Sequence, residues 1–264
     1  MFAKLIYRFY SLSISTGTNV LSKGEIPELV LISGCTGTGK STFGMEAAIS
    51  RGMLKCISTD TIRQVMRTYD KSPALHRSSY MGSRDAIVDW IETCDIVRDA
   101  ARNIVLDSIR RGTSLVLEGV HLIPCNDLLQ LWTEGGGVAV GVVLSVPDPQ
   151  AHRGLLIKRG LVTGKGAEEQ LRHIDRIRCI HDEIVRRGRS HEWLVVEQVI
   201  ASEDIPPAAA VTTSTSTATT APTSSPLPPP PRATARSRHI TALHSVASEL
   251  LKAKRALRVD DIAH

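Results

Sequence analysis

The sequence has no Cys-x-x-Cys pair, and its five cysteines, Cys35, Cys56, Cys94, Cys125 and Cys179, are odd in number and far apart. That spacing argues against a disulfide framework or a zinc ribbon and suits a chain kept in a reducing compartment. His173, Cys179 and His181 match no zinc spacing and read instead as a charged, solvated helix face. No apolar run approaches the roughly 18 residues that a membrane-spanning helix requires. The body of the chain also lacks net charge. The whole sequence carries +5, yet residues 25–200 hold 22 basic and 22 acidic side chains. The excess sits at the ends, with three basic residues and no acid in 1–24, so composition gives no support to a nucleic-acid-binding face.

What is present divides the 264 residues into four segments. In residues 1–24, Leu5, Phe9 and Leu12 share a helical face beside Lys4 and Arg8, which fits a mitochondrial transit peptide as well as a plain disordered extension. The location expected is therefore cytoplasmic or mitochondrial. Residues 25–200 alternate short apolar runs with amphipathic stretches, the signature of βαβ units. Strands are expected at 29–33, 54–58, 114–118, 138–146 and 193–196, and a long helix at 85–111 ends at Gly112. The fold class expected is α/β, an open parallel five-stranded sheet with helices on both faces and an Arg-rich helical lid over 148–189. This body is expected to fold and bind nucleotide without the ends. Residues 201–237 are rich in Pro, Ser, Thr and Ala and read as a disordered linker. In 238–264, Ile240, Leu243, Ala247, Leu250 and Leu257 recur three and four apart, giving an amphipathic helix. That helix could dock on the body, a protein partner or a membrane surface.

The chemistry begins at Gly34-Cys35-Thr36-Gly37-Thr38-Gly39-Lys40-Ser41-Thr42, directly after the first strand and opening a helix. Glycines at 34, 37 and 39 let the backbone turn its N–H groups inward around a phosphate at a helix N-terminus. Lys40 is then placed to bridge the β- and γ-phosphates of ATP and Ser41 to hold Mg²⁺. Cys35 lies among those amides, which would lower its thiol pKa, but it reads as merely a tolerated small residue. The next strand end, Ser58-Thr59-Asp60, separates a kinase from other users of such a loop. Asp60 either orients an acceptor hydroxyl and takes its proton or caps the following helix. Arg63 and Arg67 stand one turn apart and suit an anionic acceptor, or form a solvated pair. Glu118, closing the third strand, can reach the metal shell or serve the acceptor; His121 reads as a structural histidine. Among the lid cations, Arg153, Arg159 and Arg178 are the candidates for phosphate contact, ahead of Lys158, Arg172 and Arg176.

Four motifs in order carry a family resemblance. Residues 33–41, Ser58-Thr59-Asp60-Thr61-Ile62-Arg63-Gln64-Val65-Met66-Arg67, Leu75-His76-Arg77-Ser78-Ser79-Tyr80 and Leu117-Glu118-Gly119-Val120-His121-Leu122-Ile123-Pro124 resemble the 2-phosphoglycerate kinase family. The likeness runs from about residue 28 to 196 and takes in His152-Arg153 and Ile177-Arg178. Gln170 and Ile174 depart from it, standing where the lid helix would carry aromatics, as does the Gly164-Lys165-Gly166 stretch, where the family often has basic residues. The resemblance implies ATP-dependent phosphoryl transfer to 2-phosphoglycerate, giving 2,3-bisphosphoglycerate, with His76, Ser78, Ser79 and Tyr80 lining the acceptor site. The alternatives are a kinase for another small acid or a nucleic-acid end, and a nucleotide-dependent interaction module without turnover.

Overall fold

The computed structural model describes residues 26–163, 167–198 and 241–253. The expected transit peptide and the expected linker lie outside these residues. The chain runs β1 (Glu28–Ser33), α1 (Lys40–Ser50), β2 (Cys56–Ser58), α2 (Thr59–Met66), α3 (Pro73–His76), α4 (Ala86–Arg110), β3 (Leu115–Gly119), α5 (Asp127–Glu134) and β4 (Val138–Ser145). A helical run follows, α6 (Pro149–Thr163), α7 (Glu168–Arg172) and α8 (Ile174–Ser190), before β5 (Leu194–Glu197). Residues 241–253 form a last helix, α9.

Among the described residues all strand pairs are parallel, in the order β2-β3-β1-β4-β5. The expected open α/β sheet is present. Because side chains alternate across a strand, β1 sends Leu29 and Leu31 to one face and Val30 and Ile32 to the other. A parallel sheet must bury both faces. On the first face Leu115, Leu117 and Val143 join Trp90, Val97 and Val105 of α4 and Ile177, Ile180 and Ile184 of α8. The 25 residues of α4 are started by Asp85, whose carboxylate accepts from the Ile87 and Val88 amides at 2.8 and 3.2 Å.

The second face is covered by α1, through Phe43 and Ala48, and by α9, through Ala242, Val246 and Leu250. Of the apolar side read at 238–264, Leu250 is buried and Leu243 half-buried against the chain's own sheet, while Ile240 and Leu257 lie outside the described residues. The core thus extends beyond residue 200, since Ala242, Val246 and Leu250 share one buried cluster with Val30, Val140 and Val142. Leu250 is 0% exposed. Leu250→Ala should therefore lower stability by about 2–5 kcal/mol, the usual range for emptying a buried leucine site. Urea unfolding of the full chain checks this, and an unchanged midpoint would mean that α9 is dispensable.

Candidate active site

In an open α/β sheet the carboxyl ends of the strands face the ligand crevice. Register fixes what stands there: Glu118 of β3 pairs with Ile32 of β1 on one side and with Ser58 of β2 on the other. The loop after β1, the Glu118 carboxylate and the start of α2 therefore lie side by side. They open onto a cavity of about 600 Å³ that is also lined by Ser78, Ser79 and Tyr80 and, from the lid, by Lys158 and Arg159.

Cys35, Thr36, Gly37, Gly39, Lys40, Ser41 and Thr42 line this cavity, whereas Gly34 and Thr38 are buried within the loop. Gly37 and Gly39 have φ of 84° and 81°, the left-handed region that β-carbons disfavour. Space is also short at Gly37, where a Cβ would come within 2.6 Å of Leu156 Cδ2. Thr38 Oγ1 donates to the Cys35 carbonyl at 3.0 Å, and Lys40 Nζ donates to the same oxygen at 2.6 Å. Burial lowers the Lys40 pKa, with nearby Glu118 and Asp60 opposing the shift. The Cys35 thiol is pushed up to about 12 by burial, which outweighs the charges of Lys40 and Arg178. Desolvation of the thiolate dominates at so enclosed a sulfur, in keeping with the reading of Cys35 as a tolerated small residue.

Ser41 Oγ donates to Glu118 Oε1 at 3.0 Å. A hydroxyl and a carboxylate this close supply the hard oxygen donors that suit Mg²⁺. Among the described residues no cluster of three or more His, Cys, Asp or Glu forms a metal site. The residues present fit a magnesium ion that shares its shell with phosphates and water.

Helix α2 begins earlier than its sequence suggests, and Ser58 is its cap, accepting from the Asp60 amide at 3.2 Å. Asp60 is therefore not the cap, and its carboxylate, 67% exposed, is on the cavity lining. The buried His121 ring lies behind it, with Nδ1 3.0 Å from Thr59 Oγ1 and 3.6 Å from Asp60 Oδ1. Arg63 lines the cavity and is held by its Nε, which donates to the Leu75 carbonyl at 2.8 Å. Its two Nη groups make only long contacts, 3.5 Å to His121 Nε2 and 3.4 Å to the Ala74 carbonyl, and so can turn to an anion. Burial, then repulsion from Arg67, lowers the Arg63 pKa to about 10, leaving it charged at neutral pH.

Arg67 is a correction. Its Nε donates to the same Leu75 carbonyl at 2.9 Å and its Nη1 to Gln64, so the pair meets across a backbone oxygen, with Arg67 outside the lining. His76 is corrected too, being exposed beside the Asp70 carbonyl at 3.0 Å. Helical spacing placed both arginines on one face without showing what that face meets. Ser78, Ser79 and Tyr80 do line the cavity, and their loop is fastened from outside. Arg176 of α8 donates to the Tyr80 carbonyl at 2.8 Å and to the buried Asp89 at 2.7 Å, and Arg84 reaches Asp89 at 3.0 Å.

The lid candidates separate. Arg159 lines the cavity and donates to Thr36 Oγ1 at 3.0 Å, and Lys158 lines it as well. Arg153 is exposed and off the lining. Arg178 is off it too, because its guanidinium is held by the Val146 and Pro147 carbonyls at 2.6 and 3.2 Å and by Asp182 at 3.2 Å. The sequence reading missed Val120, Leu155, Ile177 and Ile180 and did not assign Gln170 to the site. Leu155 and Ile180 carried only a core-like signal, and Val120 and Ile177 no more than their place in family-like stretches.

His121 and His152 are both pushed down to about 4, chiefly by burial. An exposed imidazole titrates near 6.5, so between those values the unfolded chain takes up protons that the folded chain refuses. Stability should be full above about pH 6.5 and fall as the pH drops toward 4. Denaturant midpoints across that range check the sign; a flat profile would show that the two rings are more open than their burial indicates.

A five-stranded parallel sheet ordered 2-3-1-4-5, with a glycine-rich phosphate loop after its central strand and helices on both faces, is the P-loop kinase fold. The resemblance drawn from the motifs is borne out by sequence comparison. The chain is similar to proteins named 2-phosphoglycerate kinase from Thermococcus kodakarensis, 31% identical over 191 residues covering 68% of this chain and 64% of that protein. The relative from Methanocaldococcus jannaschii is 29% identical over 193 residues, 69% of this chain and 62% of that one. The one from Methanopyrus kandleri is 29% identical over 199 residues, 70% and 60%. The chain thus spans less than two thirds of the length of these relatives. No protein-family model matches it.

Proposed function

We propose that this chain is an ATP-dependent kinase that transfers the γ-phosphate to the primary hydroxyl of 2-phosphoglycerate, giving 2,3-bisphosphoglycerate. The observation that carries the reading is the single cavity in which Lys40, the Ser41–Glu118 pair, Asp60 and Arg63 meet with Ser78 to Tyr80. The names of the relatives support the choice of acceptor.

The glycine-rich loop and Lys40 would bind the nucleotide phosphates, Ser41 and Glu118 would hold the metal, and Arg159 would close from the lid to exclude water. Bound Mg²⁺ supplies neutralisation of charge on the transferred group. Arg63 and the hydroxyls of Ser78 and Ser79 take the carboxylate and phosphate of the acceptor. Asp60 orients its free hydroxyl. As the oxygen bonds to phosphorus and the bond to the ADP oxygen breaks, Asp60 accepts the proton.

The test is an acceptor panel under one Mg-ATP condition: 2-phosphoglycerate, 3-phosphoglycerate, glycerate, gluconate, shikimate and an oligonucleotide with a 5′-hydroxyl. 3-Phosphoglycerate moves the nucleophile to a secondary carbon, and a displacement of about 1 Å can cost a hundredfold. The expected result is the highest kcat/KM for 2-phosphoglycerate, well above its isomer. Preference for another member would reassign the acceptor, and no transfer to any would favour a nucleotide-dependent interaction module.

A further inference from the structure

His152 takes no part in the chemistry above, yet it is 0% exposed and lies against the phosphate loop. Its Nε2 is 2.8 Å from the Thr36 carbonyl oxygen. A carbonyl only accepts, so Nε2 carries the hydrogen and Nδ1 the lone pair. That lone pair faces Arg178 Nη1 at 3.4 Å, and an arginine only donates. Both neighbours select the same tautomer and ring orientation. Arg178 is itself fixed by the Val146 carbonyl and Asp182, so the ring is supported from behind. The Cys35 thiol, 3.5 Å from the Thr36 oxygen and 3.6 Å from Nε2, completes the contact.

The consequence follows from the planarity of the peptide bond. In a trans peptide the C=O of residue 36 and the N–H of residue 37 point in opposite directions. With the Thr36 carbonyl drawn toward α6, the Gly37 amide is turned away from α6. Gly37 lines the cavity, and amides of such a loop are the groups that receive a phosphate. The hydroxyl of the same threonine accepts from Arg159 of the same helix, so α6 grips Thr36 at both its backbone and its side chain.

We infer that His152 is a positioning residue for nucleotide binding: by holding the Thr36 carbonyl it sets the Thr36–Gly37 peptide with its N–H toward the phosphate. The inference rests on the reading that this loop binds Mg-ATP.

The experiment uses the full chain with His152→Leu, which keeps apolar bulk but has no donor, and His152→Gln, whose amide N–H reaches about as far as Nε2. Mg-ATP affinity is measured by calorimetry, with KM for ATP, KM for the acceptor, kcat and Tm alongside. Loss of one such hydrogen bond corresponds to about tenfold in affinity. His152→Leu should weaken Mg-ATP about tenfold with the acceptor KM unchanged, and His152→Gln should return to within about threefold of the wild type. A merely structural histidine would lower Tm without that split and without rescue by glutamine. Wild-type affinity in His152→Leu, or glutamine no better than leucine, overturns the inference while leaving the nucleotide reading intact. If the leucine variant does not fold, His152→Asn replaces it, because its shorter amide falls short of Thr36; affinity equal to that of His152→Gln then overturns the inference. Failure of the wild type to bind Mg-ATP would overturn both.

Discussion

Lys40→Ala should reduce kcat/KM for phosphoryl transfer by about a thousandfold, the upper end of what removal of one preorganised charge costs. The position explains the size. Lys40 is half-buried at the head of α1 and its ammonium rests on the Cys35 carbonyl, within the loop that would hold the β- and γ-phosphates. Its stem can extend to the phosphates while that carbonyl keeps a donor in Thr38. The substitution should therefore weaken Mg-ATP binding as well as turnover and leave the fold in place. Calorimetric titration with Mg-ATP beside steady-state kinetics separates the two effects. Turnover at the wild-type rate would remove the phosphate-loop assignment.

Asp60→Asn should lower kcat by at least about a hundredfold while Mg-ATP affinity stays near the wild type, in line with loss of a positioned general base. Had Asp60 served only to cap α2, the same change would leave both kcat and Tm near the wild type, because asparagine caps as well as aspartate. The cap is Ser58, and Asp60 presents its carboxylate to the cavity with Thr59 and His121 behind it. Tm should consequently hold while kcat falls. An active Asp60→Asn would mean that the acceptor proton leaves by another route.

How far this site could be read from sequence depends on the kind of constraint that each residue obeys. The loop at 34–41 was legible because backbone geometry dictates it: Gly37 and Gly39 adopt φ angles that other residues resist. The strands were legible because burial on both sheet faces demands continuous apolar runs such as Leu29 to Ile32. Arg67 misled because a one-turn spacing reports a shared face and nothing of the Leu75 carbonyl that both guanidiniums meet. Arg178 misled for a similar reason, its charge being directed to backbone carbonyls after β4. The role of α9 stayed open because amphipathic period gives a helix an apolar side without naming what covers it; Val30, Phe43 and Val142 are the answer. His152 carried no signal beyond its place in a family-like pair, since its work depends on a 2.8 Å contact with a residue more than a hundred positions away.

The central claim is that Mg-ATP and 2-phosphoglycerate exchange a phosphoryl group in the cavity between the glycine-rich loop and the Ser78–Tyr80 segment. Its most direct test is a ³¹P NMR time course of the full wild-type chain with Mg-ATP and 2-phosphoglycerate, with Asp60→Asn run in parallel. The account predicts that 2,3-bisphosphoglycerate and ADP accumulate in equal amounts, and that Asp60→Asn slows both together. ATP left intact, or hydrolysed to ADP and inorganic phosphate with 2-phosphoglycerate unchanged, would contradict it.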